Sequence, residues 1–186
     1  KNGKDERIVD NVLVGEVWFC SGQSNMEMPL RGFWTQPVEG AVEAIAYSGS
    51  YPGIRVAKVP KRISYTPQDR VESPWMTSCP KNAYNFSALA YFFAQSLTKI
   101  LNVPVGIIDC SYGGSKVEAW QSAEVLNNYP EFSIAKEQAD TTMNDWERIN
   151  VMYNAMLHPL IGYTVKGFLW NQGESNVGRH KTYPYH

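Results

Sequence analysis

The run CSGQSNM at positions 20–26 has the layout that a serine nucleophile needs. It directly follows the apolar stretch 17–19, so a buried strand leads straight into a polar turn. Gly22 permits the tight turn, and Ser24 is lifted clear of the sheet edge. If a helix begins near Ser24, its free N–H groups face negative charge that develops on a substrate. A Gly-x-Ser pattern alone is common in turns for local reasons, so this interpretation needs companion motifs.

Two further segments supply such companions. The run DCSYGGS at positions 109–115 follows the apolar stretch 105–108, and the run WNQGESN at positions 170–176 follows the largely apolar stretch 165–169. In an open parallel α/β sheet, ligands bind at the carboxyl ends of the strands. Three glycine-containing polar turns after three apolar runs therefore predict one site at one edge of a sheet.

Ester hydrolysis by serine needs a nucleophile, a base and donors for the oxyanion. Ser24 is the predicted nucleophile, because the serines at 21, 111 and 175 lack the full strand–glycine–serine–helix setting. Gly114 has no side chain, so its backbone N–H can approach a reacting carbonyl. Gln172 or Asn176 can donate a side-chain amide N–H to the same oxygen. Glu174 could orient a neighbour or bind a sugar hydroxyl, or simply be a solvated loop carboxylate.

The base is not evident from the sequence. The three histidines are His158, His180 and His186. His158 precedes a proline at a predicted helix end, where it can cap the last carbonyl groups. The other two lie in a polar tail. None has an acidic residue at a spacing suited to orient its imidazole.

The elements that must position these turns alternate between strand and helix. Apolar patterning predicts a long core-facing helix stopped by Pro104, and a long irregular segment, 60–80, that is typical of a binding loop. The alternation predicts a parallel sheet with helices on both faces. The predicted strands are 12–20, 54–59, 105–109 and 165–170, and the predicted helices are 38–46, 86–100, 119–126, 132–139 and 143–157.

Length and composition narrow the function classes. The 186 residues suggest one domain, and the net charge of −1 gives no indication of nucleic acid or an anionic membrane as a partner. No apolar run is long enough to span a bilayer, and positions 1–10 lack a signal-peptide core. Aromatic residues make up 13% of the chain, which fits either core packing or a surface that faces carbohydrate.

The three cysteines have no metal-ligand spacing. Cys20 and Cys110 could be neighbours, and buried free thiols are predicted.

The motifs together resemble the sialate O-acetylesterases of the SGNH hydrolase superfamily, which are related to acetylxylan esterases. The resemblance rests on GQSNM at 22–26, on GGS at 113–115 with EAW at 118–120, and on W-x-QGESN at 170–176. The stretch YNAMLHPL at 153–160 is also similar to that family. The likeness runs from about position 11 to position 176.

The resemblance implies a flavodoxin-like three-layer α/β/α fold and hydrolysis of acetyl esters without a cofactor or metal. It implies an acetylated carbohydrate as substrate, of the sialic acid 9-O-acetyl or acetylxylan type, and a secreted, periplasmic or lysosomal location. The catalytic residues are then Ser24, which also gives one backbone oxyanion donor, Gly114, and Gln172, which stands where the wider superfamily uses asparagine. The substrate-binding residues are then Asn25, Glu174 and Asn176.

The chain departs from the family in one block. Family members place an Asp-x-x-His pair near the end of the domain, and that pattern occurs nowhere in these 186 residues. We therefore interpret 1–11 as a linker or the remnant of an upstream region, and 12–186 as an esterase domain without that block, whether a central fragment, a truncated polypeptide or one piece of a cleaved protein. Alone it is expected to hydrolyse esters weakly. The alternatives are a non-catalytic carbohydrate-binding module on the same fold and an SGNH hydrolase of lipid esters or thioesters.

Overall fold

A five-stranded sheet forms the centre of the protein. The computed structural model describes residues 8–178. The strand order is β3-β2-β4-β1-β5, with four parallel strands and an antiparallel pair between β2 and β3. The strands are β1 Glu16–Gly22, β2 Ile54–Lys58, β3 Trp75–Thr77, β4 Val105–Ser111 and β5 Gly167–Asn171.

The register of the three central strands places the three polar turns at one edge. Gly22, at the end of β1, pairs with Ser111 of β4 on one side and with Asn171 of β5 on the other. Because the strands are parallel, the chain leaves all three at their carboxyl ends. The prediction that the three turns share one edge of a parallel sheet is confirmed.

Apolar side chains cover both faces of the sheet. Ile107 of β4 packs on one side with Ile54, Phe86 and Tyr91, while Ile108 packs on the other with a second cluster that includes Trp120. Consecutive residues of a strand point to opposite faces, so a strand buried on both sides has a continuous apolar sequence. The predicted three-layer α/β/α architecture is confirmed.

The main helix of the first layer follows its predicted pattern. Ser87 caps it by accepting a hydrogen bond from the Ala90 N–H at 3.2 Å, and Asn102 ends it in the left-handed conformation at φ 53°. The α-helices are α1 Ser24–Glu27, α2 Ala41–Ala46, α3 Pro80–Ala83, α4 Ala88–Leu101, α5 Ala123–Leu126 and α6 Ile134–Ala139.

Two predicted helices are wrong in detail. The single helix over 143–157 is instead a 3₁₀ turn at Asp145–Glu147, a break at Asn150 with φ 67°, and a π-helical segment at Tyr153–Leu157. The helix over 119–126 is split into a 3₁₀ turn at Val117–Trp120 and α5, with extended residues between them. Apolar spacing alone did not reveal these breaks, because a left-handed asparagine leaves the apolar pattern around it intact.

The edges of the sheet also differ from the prediction. The first strand begins at Glu16 rather than at Val12, and Val14 is almost fully exposed. The segment 60–80 contributes the antiparallel edge strand β3, which pairs residue by residue with β2. A three-residue strand is too short for its alternation to stand out from a loop sequence.

No helix within residues 8–178 is long and apolar enough to cross a membrane.

Candidate active site

Ser24 lies immediately beyond the carboxyl end of the central strand β1. Gly22 has φ 144°, and a β-carbon there would lie 2.0 Å from the backbone oxygen of Asn171. Only glycine allows β1 and β5 to approach this closely at the turn. Gln23 then caps α1, and Ser24 is its first residue and half-buried. The predicted strand–glycine–serine–helix setting is therefore present.

Among residues 8–178, the hydroxyl of Ser24 has no hydrogen-bond partner, whereas the neighbouring serine hydroxyls are engaged. Ser21 Oγ donates to the Cys110 backbone oxygen at 2.6 Å, Ser111 Oγ to Asp109 Oδ1 at 2.6 Å, and Ser175 Oγ to the Gly114 backbone oxygen at 2.9 Å. Within residues 8–178, no hydrogen bond involves Ser24 Oγ. Of these four hydroxyls, that of Ser24 is the one available to a substrate.

The backbone N–H groups of Ser24 and Gly114 also have no hydrogen-bond partner in the described part of the chain. Gly114 has a φ of 79°, which lies in the left-handed region. The adjacent Gly113 is held in place by its N–H, which donates to Glu27 Oε2. A β-carbon on Gly113 would lie 3.7 Å from Ser24 Cα and 2.8 Å from that same carboxylate. The glycine turn therefore packs directly against the serine.

The third turn is anchored by the side chain of Gln23. Its Oε1 accepts from Gln172 Nε2 at 3.3 Å, from the Gly173 N–H at 3.3 Å and from the Ser175 N–H at 3.2 Å. Gln23 is almost completely buried. Sequence reasoning did not assign Gln23 a role, since a buried acceptor for a distant loop leaves no signal in local spacing.

The remaining predicted site residues form one network around that anchor. Gln172 Nε2 also donates to the Ser115 backbone oxygen at 3.2 Å and to Asn176 Oδ1 at 2.6 Å. Asn176 Nδ2 donates to the buried Glu118 at 2.8 Å. The two amide hydrogens of Gln172 thus have three acceptors within the protein, and its part as an oxyanion donor stays a prediction.

The two remaining predicted substrate-binding residues pair with each other at the mouth of the site. Asn25 Nδ2 donates to Glu174 Oε1. Asn25 is exposed and Glu174 lies in a 3₁₀ turn that follows β5. The structure thus brings all six predicted residues to one edge of the sheet, while their roles toward a substrate stay predictions.

Charged side chains lie near the turns, and one of them is fully buried. This is Asp109, at the end of β4. Within residues 8–178 its Oδ2 accepts no hydrogen bond and lies 3.7 Å from Lys58 Nζ. Burial raises the pKa of this carboxyl, against the lowering effect of Lys58. Glu27 forms a second ion pair with Lys61 at 2.6 Å, and the Lys61 ammonium lies 5.3 Å from the centre of the Tyr112 ring.

The cysteines of the sheet are free thiols. Cys20 pairs in register with Asp109, not with Cys110, so the two thiols on these adjacent strands face opposite sides of the sheet. Burial raises the pKa of Cys20 to about 12, with the nearby Asp109 adding to the effect. Both thiols are fully buried, so neither is exposed to a substrate. Within residues 8–178, His, Cys, Asp and Glu side chains form no group that could hold a metal ion.

The histidine of the described range is engaged elsewhere. His158 Nδ1 is hydrogen-bonded to the Gln68 backbone oxygen at 3.0 Å, and its ring packs edge-on against Tyr153. No hydrogen bond joins it to Ser24 in residues 8–178. His180 and His186 lie outside the described residues.

One protein family matches almost the whole chain, including the residues of the candidate site. The model of the family described as "Carbohydrate esterase, sialic acid-specific acetylesterase" matches residues 14–186. The chain belongs to this acetylesterase family. All three polar turns lie inside the matched range.

Individual acetylesterases agree with this assignment. The sialate O-acetylesterases of Pongo abelii and Homo sapiens are each 32% identical to the chain over 177 residues, which cover 91% of this chain and 33% of theirs. The crystal structure of a carbohydrate acetylesterase from Xanthomonas citri is 36% identical, with a TM-score of 0.73 over 87% of this chain and 33% of that one. The chain thus spans about one third of the length of these acetylesterases.

Proposed function

We propose that this chain carries the nucleophile and the oxyanion donors of a carbohydrate O-acetylesterase. Within residues 8–178, the hydroxyl of Ser24 and the N–H groups of Ser24 and Gly114 have no hydrogen-bond partner, and they lie at the carboxyl end of a central strand. This observation supports the proposal most directly. The names of the relatives add the reaction class, because sialate O-acetylesterases and a carbohydrate acetylesterase are among them.

The proposed reaction has two steps. Ser24 Oγ attacks the acetyl carbonyl while its proton passes to a base, and the resulting oxyanion accepts hydrogen bonds from the N–H groups of Ser24 and Gly114. The tetrahedral intermediate collapses as the sugar oxygen takes a proton and leaves, giving acetyl-Ser24. Water then attacks that ester, and acetate leaves with restoration of the serine.

The third oxyanion donor is proposed to be Gln172, with Asn176 as the alternative. In the structure the Gln172 amide already donates to Ser115 and Asn176. Donation to an oxyanion therefore requires Gln172 to exchange one of these bonds. Charge that develops on the substrate oxygen makes it a stronger acceptor than a neutral carbonyl, which favours that exchange.

The base is proposed to come from outside residues 8–178, since His158 is bonded to Gln68 rather than to Ser24. The substrates proposed are sugars with acetyl esters of the sialic acid 9-O-acetyl or acetylxylan type. Asn25, Glu174 and Asn176 are proposed to contact the sugar. By analogy with the sialate O-acetylesterases, we propose a secreted, periplasmic or lysosomal location.

Replacement of Ser24 tests the proposal. In the intact gene product, Ser24→Ala is expected to lower kcat for acetate release from O-acetylated N-acetylneuraminic acid or acetylated xylo-oligosaccharides by about 10⁴-fold or more, as for other serine nucleophiles. Acetate release and intact-mass detection of acetyl-Ser24 measure the effect. Ser96→Ala is the matched control, because Ser96 is exposed on α4 and its hydroxyl bonds only to the Phe92 backbone oxygen.

Three results would contradict the proposal. Full activity of Ser24→Ala would mean that another residue is the nucleophile. Glycan binding that is unaffected by Ser24→Ala, with no acyl-enzyme, would indicate a carbohydrate-binding module. Faster hydrolysis of long-chain esters than of acetyl esters would indicate a lipid esterase.

A further inference from the structure

Trp146 lies against the proposed oxyanion turn. A β-carbon on Gly114 would lie 3.0 Å from Cδ1 of the indole, 3.2 Å from Cγ and 3.5 Å from Nε1. The indole is therefore in direct contact with the residue whose N–H is proposed to hold the oxyanion. The ring therefore borders the turn that a substrate ester approaches in the proposed reaction.

The indole of Trp146 is available to a ligand. The residue is 42% exposed. Within residues 8–178 no hydrogen bond uses its ring N–H, whereas Trp18 donates to Glu16 and the buried Trp120 donates to Ser115 Oγ. A tryptophan contributes most to stability when it is buried and its N–H is bonded. Trp146 meets neither condition, although it lies beside the glycine turn of the candidate site.

The loop that carries Trp146 is fixed by its own hydrogen bonds. Arg148 is buried and donates to the backbone oxygens of Glu137, Asp140 and Met143 at 2.7, 2.9 and 2.9 Å. Asn144 caps the 3₁₀ turn Asp145–Glu147 through a reciprocal capping box. The ring is thus held over the glycine turn by polar contacts of its neighbours and not by burial of the ring itself.

Acidic residues flank Trp146 in the chain. Asp145 directly precedes it and is exposed. Burial, and to a smaller extent the charge of Asp145, raises the pKa of Tyr112 in the glycine turn. Lys61 lies against Tyr112 and Glu27. A flat apolar surface with hydrogen-bonding groups at its rim fits a ligand that has an apolar face and polar edges.

We propose that Trp146 is the platform on which the sugar ring of the substrate stacks while its acetyl ester enters between Ser24 and Gly114. This proposal rests on the proposed esterase function. The C–H groups on one face of a pyranose carry partial positive charge and suit the negative face of the indole, whose N–H donates to a sugar hydroxyl. Trp146 thereby selects an O-acetylated sugar over a simple alkyl acetate.

The test compares two kinds of ester in the intact gene product. For Trp146→Ala, kcat/KM for O-acetylated N-acetylneuraminic acid or an acetylated xylo-oligosaccharide is expected to fall about tenfold more than kcat/KM for ethyl acetate, mainly through KM. Trp146→Phe keeps a flat ring without the N–H, and an intermediate loss is expected. Trp34→Ala is the matched control, because Trp34 is 91% exposed and belongs to another loop.

Binding separates this inference from the esterase proposal. The affinity of Ser24→Ala for the same acetylated sugars, measured by calorimetry, is expected to fall about tenfold on addition of Trp146→Ala. Loss of binding in a protein that hydrolyses no ester would uphold the platform and contradict the esterase function. Equal losses for sugar and ethyl esters, or unchanged sugar binding, would overturn the platform.

Discussion

Ser24 differs from the neighbouring serines in what its hydroxyl does. The hydroxyls of Ser21, Ser111 and Ser175 each donate a hydrogen bond to a protein acceptor. Such a serine must break a bond before it can attack, and would leave its acceptor unpaired. Among residues 8–178, the Ser24 hydroxyl has no such bond to break. At the scale of single residues, this leaves the Ser24 hydroxyl able to meet a substrate, while the base that it needs is proposed to lie outside these residues.

Gly114 gives a prediction at the same scale. In Gly114→Ala the new β-carbon meets the Trp146 ring at 3.0 Å, at a φ of 79° that strains any residue with a β-carbon. We expect the free energy of unfolding to fall by about 1–2 kcal/mol. We expect kcat for acetyl esters to fall by about 10- to 100-fold, because the N–H donor is displaced. Urea denaturation and acetate release measure the two effects.

Gly49→Ala is the control for this change. Gly49 is exposed, has no atom within 4 Å of a new β-carbon and does not need a left-handed backbone. Its stability and activity should match the unmodified protein. Full activity of Gly114→Ala would show that this N–H takes no part in the reaction.

At the scale of elements, polar groups lie at the carboxyl ends of the parallel strands, and some of them are buried there. Asp109 ends the apolar part of β4 and is completely enclosed, with Ser111 Oγ on one oxygen and Lys58 as the nearby charge. A buried carboxyl is stable in its charged form only if its surroundings compensate for lost hydration. Within residues 8–178, Oδ2 accepts no hydrogen bond and faces only the Lys58 ammonium at 3.7 Å, so compensation is incomplete.

The raised pKa of Asp109 predicts that the free energy of unfolding depends on pH. Because its pKa is raised in the folded protein, the folded state keeps this proton at pH values where the unfolded chain has released it. The folded state then binds more protons, so the contribution of this group to the free energy of unfolding is greatest below the ordinary aspartate pKa. It falls as the pH rises through the raised pKa.

Replacement of the carboxyl tests that dependence. Asp109→Asn is expected to flatten the decline of the free energy of unfolding with rising pH, since the amide does not titrate. Urea denaturation at a series of pH values from 4 to 8 measures the slope. Asp69→Asn, at an exposed carboxylate, should retain the slope of the unmodified protein. An unchanged slope in Asp109→Asn would show that this carboxyl stays ionised in the fold.

At the scale of the whole molecule, the strand order predicts an order of local stability. β4 has β1 and β2 as neighbours and apolar clusters on both faces, whereas β3 and β5 each pair with one strand among the described residues. Hydrogen exchange read by mass spectrometry should therefore be slowest in 105–111 and faster in 75–77 and 167–171. Exchange in β5 as slow as in β4 would contradict this order.

The architecture and the meeting of the three polar turns at one edge of the sheet could be predicted from the sequence. Each polar turn follows an apolar run, and parallel strands bring such turns to one edge whatever the details of the loops. Gly22 and Gly114 were predictable for the same reason, since a tight turn or a close backbone approach needs a residue without a β-carbon. The strand β3 was not, because a short element has too few residues to show a period. The break at Asn150 was not either, because a left-handed asparagine leaves the apolar pattern around it intact.

The sequence by itself determined which residues meet at the sheet edge: Ser24, Gly114 and Gln172 with their neighbours. Only the tertiary structure decided which groups each of them contacts there. It showed that no residue within 8–178 bonds the Ser24 hydroxyl, that Gln172 already donates within the protein, that Gln23 anchors the third turn and that Trp146 lies against Gly114. The physical reason is that a periodic pattern encodes the direction in which a side chain points, whereas a hydrogen bond or a ring contact depends on two groups distant in the chain.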